Sequence, residues 1–187
     1  MRAVLMIVLA LAQATPERQA LDLGRTRDEA LLNAFNAGYQ LPPSGMVDRA
    51  EIVTQFRRGV LLARDKYNIG EFGMTERDLT KAIAPFEGKV TFLVDVRLNP
   101  LHVYPAPPAY EMYVSSGPYT KPLAAKEVKR DPIYPPGLAQ GTAFVGVRLD
   151  GTFERADIEK AEAPMLTVTD EKANMLWQAR IELSRYR

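Results

Sequence analysis

The sequence predicts an α+β fold, in which an N-terminal helical region is followed by two small antiparallel units that combine a sheet with helices. Three observations predict this class. Apolar residues recur at helical spacing in the first half, strict alternation replaces that spacing from Val90 to Leu98, and Asp150-Gly151 is typical of a tight hairpin turn. Helices that precede the strands, rather than alternating with them, favour α+β over α/β.

The first fourteen residues have the pattern of a cleavable secretory signal peptide. Arg2 precedes an uncharged run of about ten apolar residues, and Ala12 and Ala14 provide the small side chains that signal peptidase accepts. We therefore expect cleavage before Thr15 and export of the remaining chain. A membrane anchor would need about 20 apolar residues, and a helix buried in the mature fold is the other alternative.

Composition narrows the class of function and the compartment. Loss of Arg2 takes the formal net charge from +1 to zero, and no dense run of Lys or Arg is present, which disfavours binding to nucleic acid or anionic lipid. The chain has no cysteine, which excludes disulfides, thiolate metal sites, a cysteine nucleophile and a lipoprotein anchor. An exported protein held together by packing alone indicates the bacterial periplasm, with no stable membrane insertion after cleavage.

The first helix is predicted from its N-cap. Residues 15–25 are polar and are expected to fray, as chain termini usually do. Thr26 is a good N-cap, and Glu29 completes a capping box three residues later. The helix is expected to end in the Pro-rich stretch that begins at Leu41.

Two further helices are predicted before the sequence changes to strands. Asp48 and Glu51 repeat the N-terminal signal for a second helix that reaches about Lys66. Thr75 is expected to cap a third helix that ends at Ala84, where a proline follows. The polar face of the second helix is expected to be solvated, and it contains Arg49, Arg57, Arg58 and Arg64.

The strands are predicted from alternation between apolar and polar residues. One strand runs from Val90 to Leu98 and another from Tyr110 to Val114. FVGVRLDGTFERADIE is expected to form a hairpin around Asp150-Gly151. Thr169 is expected to cap a C-terminal helix. Its predicted buried side consists of Ala173, Leu176, Trp177 and Ile181.

These elements divide the chain into a signal peptide over 1–14, a helical region over 15–74 and two α+β units over 75–130 and 131–187. VDVRLNP, from Val94, and VGVRLDG, from Val145, are identical at four of seven positions at an offset of 51 residues. The match is interpreted either as an internal duplication or as the coincidental likeness of two amphipathic strands.

Several motifs over residues 85–187 resemble the TonB C-terminal domain family in their order. SSGPYTKPLAAKEVKR is similar to a strand of that family that ends in Ser-Ser-Gly before an alanine-rich helix, and GKVTFLVDV resembles its first long strand. In the second half, Tyr134-Pro135 matches the Tyr-Pro that precedes the domain, LDGTFERADI resembles its hairpin with an Asp-Gly turn, and Trp177 lies where its second helix carries a tryptophan. The resemblance implies tandem modules, each a small sheet with helices on one face, and an edge strand that receives an extended partner peptide. It does not extend to the membrane anchor and spacer of the energy transducers.

Catalytic patterns are sparse. His102 is the only histidine, and no HExxH motif, acidic calcium loop or glycine-rich phosphate loop is present, so no metal or cofactor is expected. Ser115 and Ser116 lack a nucleophile elbow, and the carboxylates of Asp95 and Glu111 are more simply solvent-facing. The alternative function is that of a small exported hydrolase using His102 and a nearby carboxylate.

The tyrosines between residues 100 and 136 are the predicted functional surface. They lie among prolines, which stiffen the loops and lower the entropy lost on binding. The expected function is non-catalytic binding of another envelope protein or an extended peptide; the other interpretation is that these side chains cover a sheet edge. The predicted partner-binding residues are Tyr104, Tyr110, Tyr119 and Tyr134.

Overall fold

The computed structural model describes residues 14–102, 104–116, 121–137 and 143–186. All but the last residue of the predicted signal peptide lies outside these ranges. In the described part of the chain, no helix is both long enough and apolar enough to cross a membrane. Two compact units are present: the described residues of one are 14–36 and Gln55–Glu87, and those of the other are Ala37–Thr54 and Gly88–Tyr186.

The α+β class is confirmed. Among the described residues, the first unit contains four helices and a short 3-10 turn, and two antiparallel sheets make up most of the second. The helices are α1 (Pro16–Gly24), α2 (Glu29–Ala37), α3 (Gln55–Asn68) and α4 (Glu76–Ile83), and the 3-10 turn is Ala84–Phe86.

The expectation of a frayed segment over residues 15–25 is wrong, because α1 packs closely against α3. Thr15 caps α1, and its hydroxyl oxygen accepts a hydrogen bond from the Arg18 backbone N–H at 3.1 Å. A Cβ placed on Gly24 would lie 2.6 Å from the Cβ of Ala63 and from the carbonyl oxygen of Val60. Only glycine permits this approach between the two helices.

The other helices match their predictions to different degrees. The predicted N-cap at Thr75 is present in α4, where it forms a capping box with Asp78 as its reciprocal partner. The helix predicted from Thr26 begins three residues later, where the Asp28 carboxylate accepts from the Leu31 N–H at 3.0 Å. The solvated face predicted for α3 is wrong at Arg57, which is only 1% exposed.

The core of the first unit is formed by small and aliphatic side chains from all four helices. The buried members of this cluster are Ala20, Leu21, Leu32, Val60, Ala63, Leu79 and Ile83.

The second unit contains a five-stranded sheet with the order β1-β2-β3-β7-β6 and a four-stranded sheet with the order β5-β4-β8-β9. A short helix, α5 (Arg155–Glu159), follows β7, and a 3-10 turn (Leu183–Arg185) follows β9. The strands are β1 (Gln40–Leu41), β2 (Val47–Val53), β3 (Lys89–Arg97), β4 (Glu111–Ser115), β5 (Leu123–Ala124), β6 (Val128–Ile133), β7 (Gly146–Glu154), β8 (Met165–Thr169) and β9 (Met175–Arg180).

The strands predicted from alternation at Val90 and at Tyr110 are present as β3 and β4. The helix start predicted at Asp48 is wrong, since residues 47–53 form β2 and pair with β3. Asp48 and Glu51 have the spacing of a capping pair, but pairing with a long buried strand overrides that local signal.

The predicted Asp150-Gly151 turn is also wrong, because β7 continues through it and pairs with β3 over nine residues. Gly151 does not have a positive φ. A Cβ there would lie 2.6 Å from the Sδ of Met112, which belongs to the other sheet. Glycine at this position therefore permits a close approach between the two sheets, as a glycine inside a strand often does.

The predicted C-terminal helix is instead the hairpin of β8 and β9. Trp177 is buried, as expected, but from a strand. Residues four apart, such as Trp177 and Ile181, share a face in a strand as well as in a helix, so the spacing could not distinguish the two. The helix implied after Ser-Ser-Gly is likewise replaced, by β5 and β6.

The two predicted α+β units are not separate modules, because their strands belong to common sheets. β3, from the range 75–130, pairs along its full length with β7, from the range 131–187. β2, from the predicted helical region, pairs with β3 on its other side. The similar segments at offset 51 are thus neighbouring antiparallel strands, in which Asp95 lies opposite Arg148.

Candidate functional site

The two sheets of the second unit face each other, and they are joined differently along their two sides. On one side, called the closed side, the chain passes from β5 at the edge of one sheet to β6 at the edge of the other. On the opposite side, called the open side, the edge strands are β1 and β9. A groove of about 530 Å³ lies between them. Its apolar lining includes Leu41, Pro42, Pro43, Ala179 and Tyr186.

The outer edge of β9 turns main-chain groups toward this groove. The Ile181 N–H donates to the Pro164 carbonyl at 2.8 Å, which fixes residue 181 as a hydrogen-bonded position of the β8–β9 ladder. Because such positions alternate along an antiparallel pair, the N–H and C=O of Gln178 and Arg180 point away from β8. Among the described residues, no main-chain hydrogen bond occupies these outward groups.

The edge of β1 has the same property on the other wall. The Ile52 N–H donates to the Tyr39 carbonyl at 2.9 Å, so Gln40 is a position whose main-chain groups point away from β2. The indole of Trp177 joins the two walls, because its Nε1 donates to the Pro42 carbonyl at 3.1 Å. The groove is thus a gap between two unpaired strand edges, and the Trp177–Pro42 hydrogen bond links the two walls.

Three charged side chains lie at the end of the groove where β9 finishes. Glu182 is 3.8 Å from Nε of Arg180 and 3.5 Å from Nη1 of Arg185. The two arginine side chains are 66% and 70% exposed. One carboxylate thus faces two guanidinium groups, which leaves this end with a net positive charge.

The predicted tyrosines occupy different environments. The rings of Tyr104 and Tyr134 both lie near Phe144, with centroids 6.4 and 6.5 Å from it. Both tyrosines are half-buried, and they lie near the β6 edge, at the far end of the sheet from β1. The structure therefore brings these two together, but away from the groove. Tyr119 lies outside the described residues.

Tyr110 cannot offer its ring to a partner, because it is only 6% exposed, and the prediction that it belongs to an accessible surface is wrong. Burial, the main cause, raises the pKa of its phenol, as expected for a group whose charged form is poorly solvated. Its carbonyl oxygen accepts from Nε of Arg130 at 2.9 Å. Tyr110 is therefore part of the packing between the sheets.

The residues considered for catalysis are not assembled into a site. His102 is exposed, and its ring lies 6.2 Å from that of Tyr104. Asp95 accepts two hydrogen bonds from Arg148, both at 2.7 Å, and Glu111 accepts one from Arg130 at 2.9 Å. These carboxylates belong to different sheets and neutralise arginines. Within the described ranges, no three His, Asp or Glu side chains are grouped to hold a metal ion.

The groove itself was not predicted, because it depends on two strands that were missed or assigned as helix. The alternation in MLTVT, the sequence of β8, is a signal for a strand next to the predicted C-terminal helix. A strand there would imply a hairpin partner that contains Gln178 and Arg180, in place of that helix. Nothing in the sequence indicates that β9 and β1 lie at the same side of two facing sheets.

No protein-family model matches the chain, and no curated protein or solved structure is significantly similar to it. The resemblance to the TonB C-terminal domain family thus depends on the sequence motifs alone. The comparisons assign neither a family nor an activity.

Proposed function

We propose that this protein is an exported, non-catalytic protein of the bacterial envelope that binds an extended segment of a partner polypeptide in the groove of the open side. The observation that supports this is the pair of strand edges, β1 and β9, which face one gap of about 530 Å³. An extended peptide can add to such an edge through main-chain hydrogen bonds, while the lining side chains select its sequence.

The chemistry of the groove suits an extended peptide. A row of unpaired N–H and C=O groups on a strand edge is a template for pairing with another strand, whose main chain has complementary groups. Each hydrogen bond so formed adds a modest net stabilisation, because it replaces one to water. The exposed prolines of the β1 wall, Pro42 and Pro43, can cover small apolar side chains of an added strand. Prolines on this wall are stiff, so little entropy is lost when a ligand orders it.

The TonB resemblance is compatible with the same class of function, since it implies an edge strand that receives a partner peptide. The proposal does not need the helices that the resemblance implies, which are strands in this structure. The hydrolase alternative is less well supported, because the ring of His102 lies beside that of Tyr104 and the candidate carboxylates of Asp95 and Glu111 neutralise arginines.

A random heptapeptide phage library, selected on the immobilised full chain, tests peptide binding directly. We expect a family of enriched peptides, whose synthetic forms bind in fluorescence anisotropy. Gln178→Pro removes the outward N–H of β9 without breaking the β8 ladder and should weaken binding by roughly tenfold. Gln178→Ala is the matched control, because it removes the same side-chain hydrogen bond to Thr167 and keeps the N–H.

Failure to enrich any peptide, or equal binding by the proline and alanine variants, would contradict the proposed function. Both variants should show the thermal transition of the parent, which excludes unfolding as the cause of lost binding.

Export is tested separately by N-terminal sequencing of the protein from envelope fractions of its host, which should begin at Thr15. A sequence that begins at Met1 would contradict export by signal-peptide cleavage.

A further inference from the structure

We infer that the groove of the open side selects peptides that have an acidic side chain at the position opposite Arg180. This inference rests on the proposed function, since it specifies the ligand of the same site. It is supported by the position of Arg180 in the strand ladder and by the charge balance at the end of the groove.

The ladder determines where a ligand side chain would lie. Arg180 pairs with Met165 of β8 on one side, and its outward main-chain groups are turned to the groove on the other. Residues directly opposite each other in neighbouring strands place their side chains on the same face of a sheet, about 5 Å apart. The peptide residue that pairs with Arg180 therefore projects beside the guanidinium group, which is 66% exposed.

The charge at this point is not balanced by the chain itself. Arg180 and Arg185 share the single carboxylate of Glu182, with nitrogen–oxygen distances of 3.8 and 3.5 Å. Charge-assisted hydrogen bonds are usually about 2.7–2.9 Å long. Arg148 of the same unit shows the saturated arrangement, because both oxygens of Asp95 accept from it at 2.7 Å.

An incoming carboxylate would find two guanidinium forks with donors in excess. Bidentate geometry makes arginine well suited to a carboxylate, and opposite charges directly across strands are favourable, whereas like charges are not. The same arrangement should therefore discriminate against Lys or Arg at that peptide position. The ligand carboxylate is assigned to an Asp or Glu side chain, because the side chain of the residue opposite Arg180 projects onto the same face of the sheet as the guanidinium group, whereas a terminal carboxylate lies along the strand.

The test selects one heptapeptide library separately on the parent chain and on Arg180→Glu. Random heptapeptides are displayed at the N-terminus of the phage coat protein, so that no peptide has a free carboxyl terminus. Selection on the parent chain should enrich Asp or Glu at one fixed position. Selection on Arg180→Glu should enrich Lys or Arg at that same position. Arg97→Glu, an equal charge change at another exposed strand arginine outside the groove lining, should give the parent profile.

Synthetic peptides give the quantitative form of the test. Replacing the enriched acidic residue by Lys should weaken binding to the parent at least tenfold and should restore binding to Arg180→Glu. Peptides that bind the groove, by the Gln178→Pro criterion, but show no charge preference would overturn this inference and leave the proposed function standing. Peptides selected only with a free carboxyl terminus, in a library displayed the other way, would overturn the side-chain assignment. Absence of any selected peptide would contradict the proposed function itself.

Discussion

The closed and open sides of the second unit use the same kind of strand edge in opposite ways. On the closed side, the backbone passes directly from β5 to β6, and the Lys126 N–H donates to the Thr152 carbonyl at 3.1 Å. Arg130 adds hydrogen bonds to the carbonyls of Tyr110 and Val128 and to the Glu111 carboxylate. On the open side, Trp177 Nε1 donates to the Pro42 carbonyl and the rings of Tyr39 and Tyr186 lie 5.4 Å apart, and the edges of β1 and β9 remain available beside these contacts.

The two sides differ in which strand edges keep unpaired main-chain groups. Polar main-chain groups at an edge need partners, and the closed side obtains them from the chain itself. The open side has a buried aromatic anchor, which holds the sheets together without occupying the strand edges. Stability and ligand binding should therefore be separable on the open side.

The largest expected effect is from Trp177→Ala, because it removes the anchor of the open side. The side chain is 3% exposed, and loss of a buried Trp costs about 3–5 kcal/mol in the free energy of unfolding. Urea unfolding measures this cost. Trp177→Phe keeps most of the packing and loses the hydrogen bond to Pro42, so it should cost about 1 kcal/mol. Equal losses for the two variants would show that the ring volume is not what joins the sheets.

Arg130→Ala should have the second-largest effect, on the closed side. It removes hydrogen bonds from a charged donor to two carbonyls and a carboxylate, and we expect a loss of about 1.5–3 kcal/mol. Lys129→Ala, at the exposed neighbouring position of β6, should change stability by less than about 0.5 kcal/mol. If the arginine variant unfolds like the lysine control, the closed side is held by backbone pairing alone.

Ala173→Gly should stabilise the protein slightly. Ala173, in the β8–β9 turn, has a φ of 61°, where a side chain is strained and glycine is not. The gain is reduced by the greater flexibility of glycine in the unfolded chain, so we expect about 0.5–1 kcal/mol. Thermal melting of the variant checks it, and a lower melting temperature would contradict the assigned strain.

The smallest expected effect is the pH dependence from Asp170 in the same turn. Hydrogen bonding by the Asn174 side chain, the main cause, lowers the pKa of the Asp170 carboxyl below its ordinary value of 3.8. The ionised form therefore stabilises the fold above about pH 4. This contribution is lost as the pH falls through the lower folded pKa. The stability difference between the parent and Asp170→Asn should shrink below pH 4, and a difference that is constant with pH would contradict this.

Local sequence determined those elements whose signals are complete within one turn or one strand. The N-cap at Thr75 was predictable because its hydrogen bonds, shared with Asp78, join residues only three apart. The strand around Val94 was predictable because its whole inward face is apolar. The expected burial of Trp177 was also correct, since its large apolar ring favours burial whichever element contains it.

Only the tertiary structure decided the elements whose local pattern suits two conformations. Asp48 and Glu51 have a helical start signal, yet β2 forms because β3 offers a complete ladder of backbone partners. Gly151 suits a turn, but its missing Cβ is used for the contact with Met112. The groove is less predictable still from the sequence, because it is formed by edges of two sheets whose residues are distant along the chain. Its position depends on which strand edges the fold leaves unpaired, and hydrophobic periodicity contains no information about that choice.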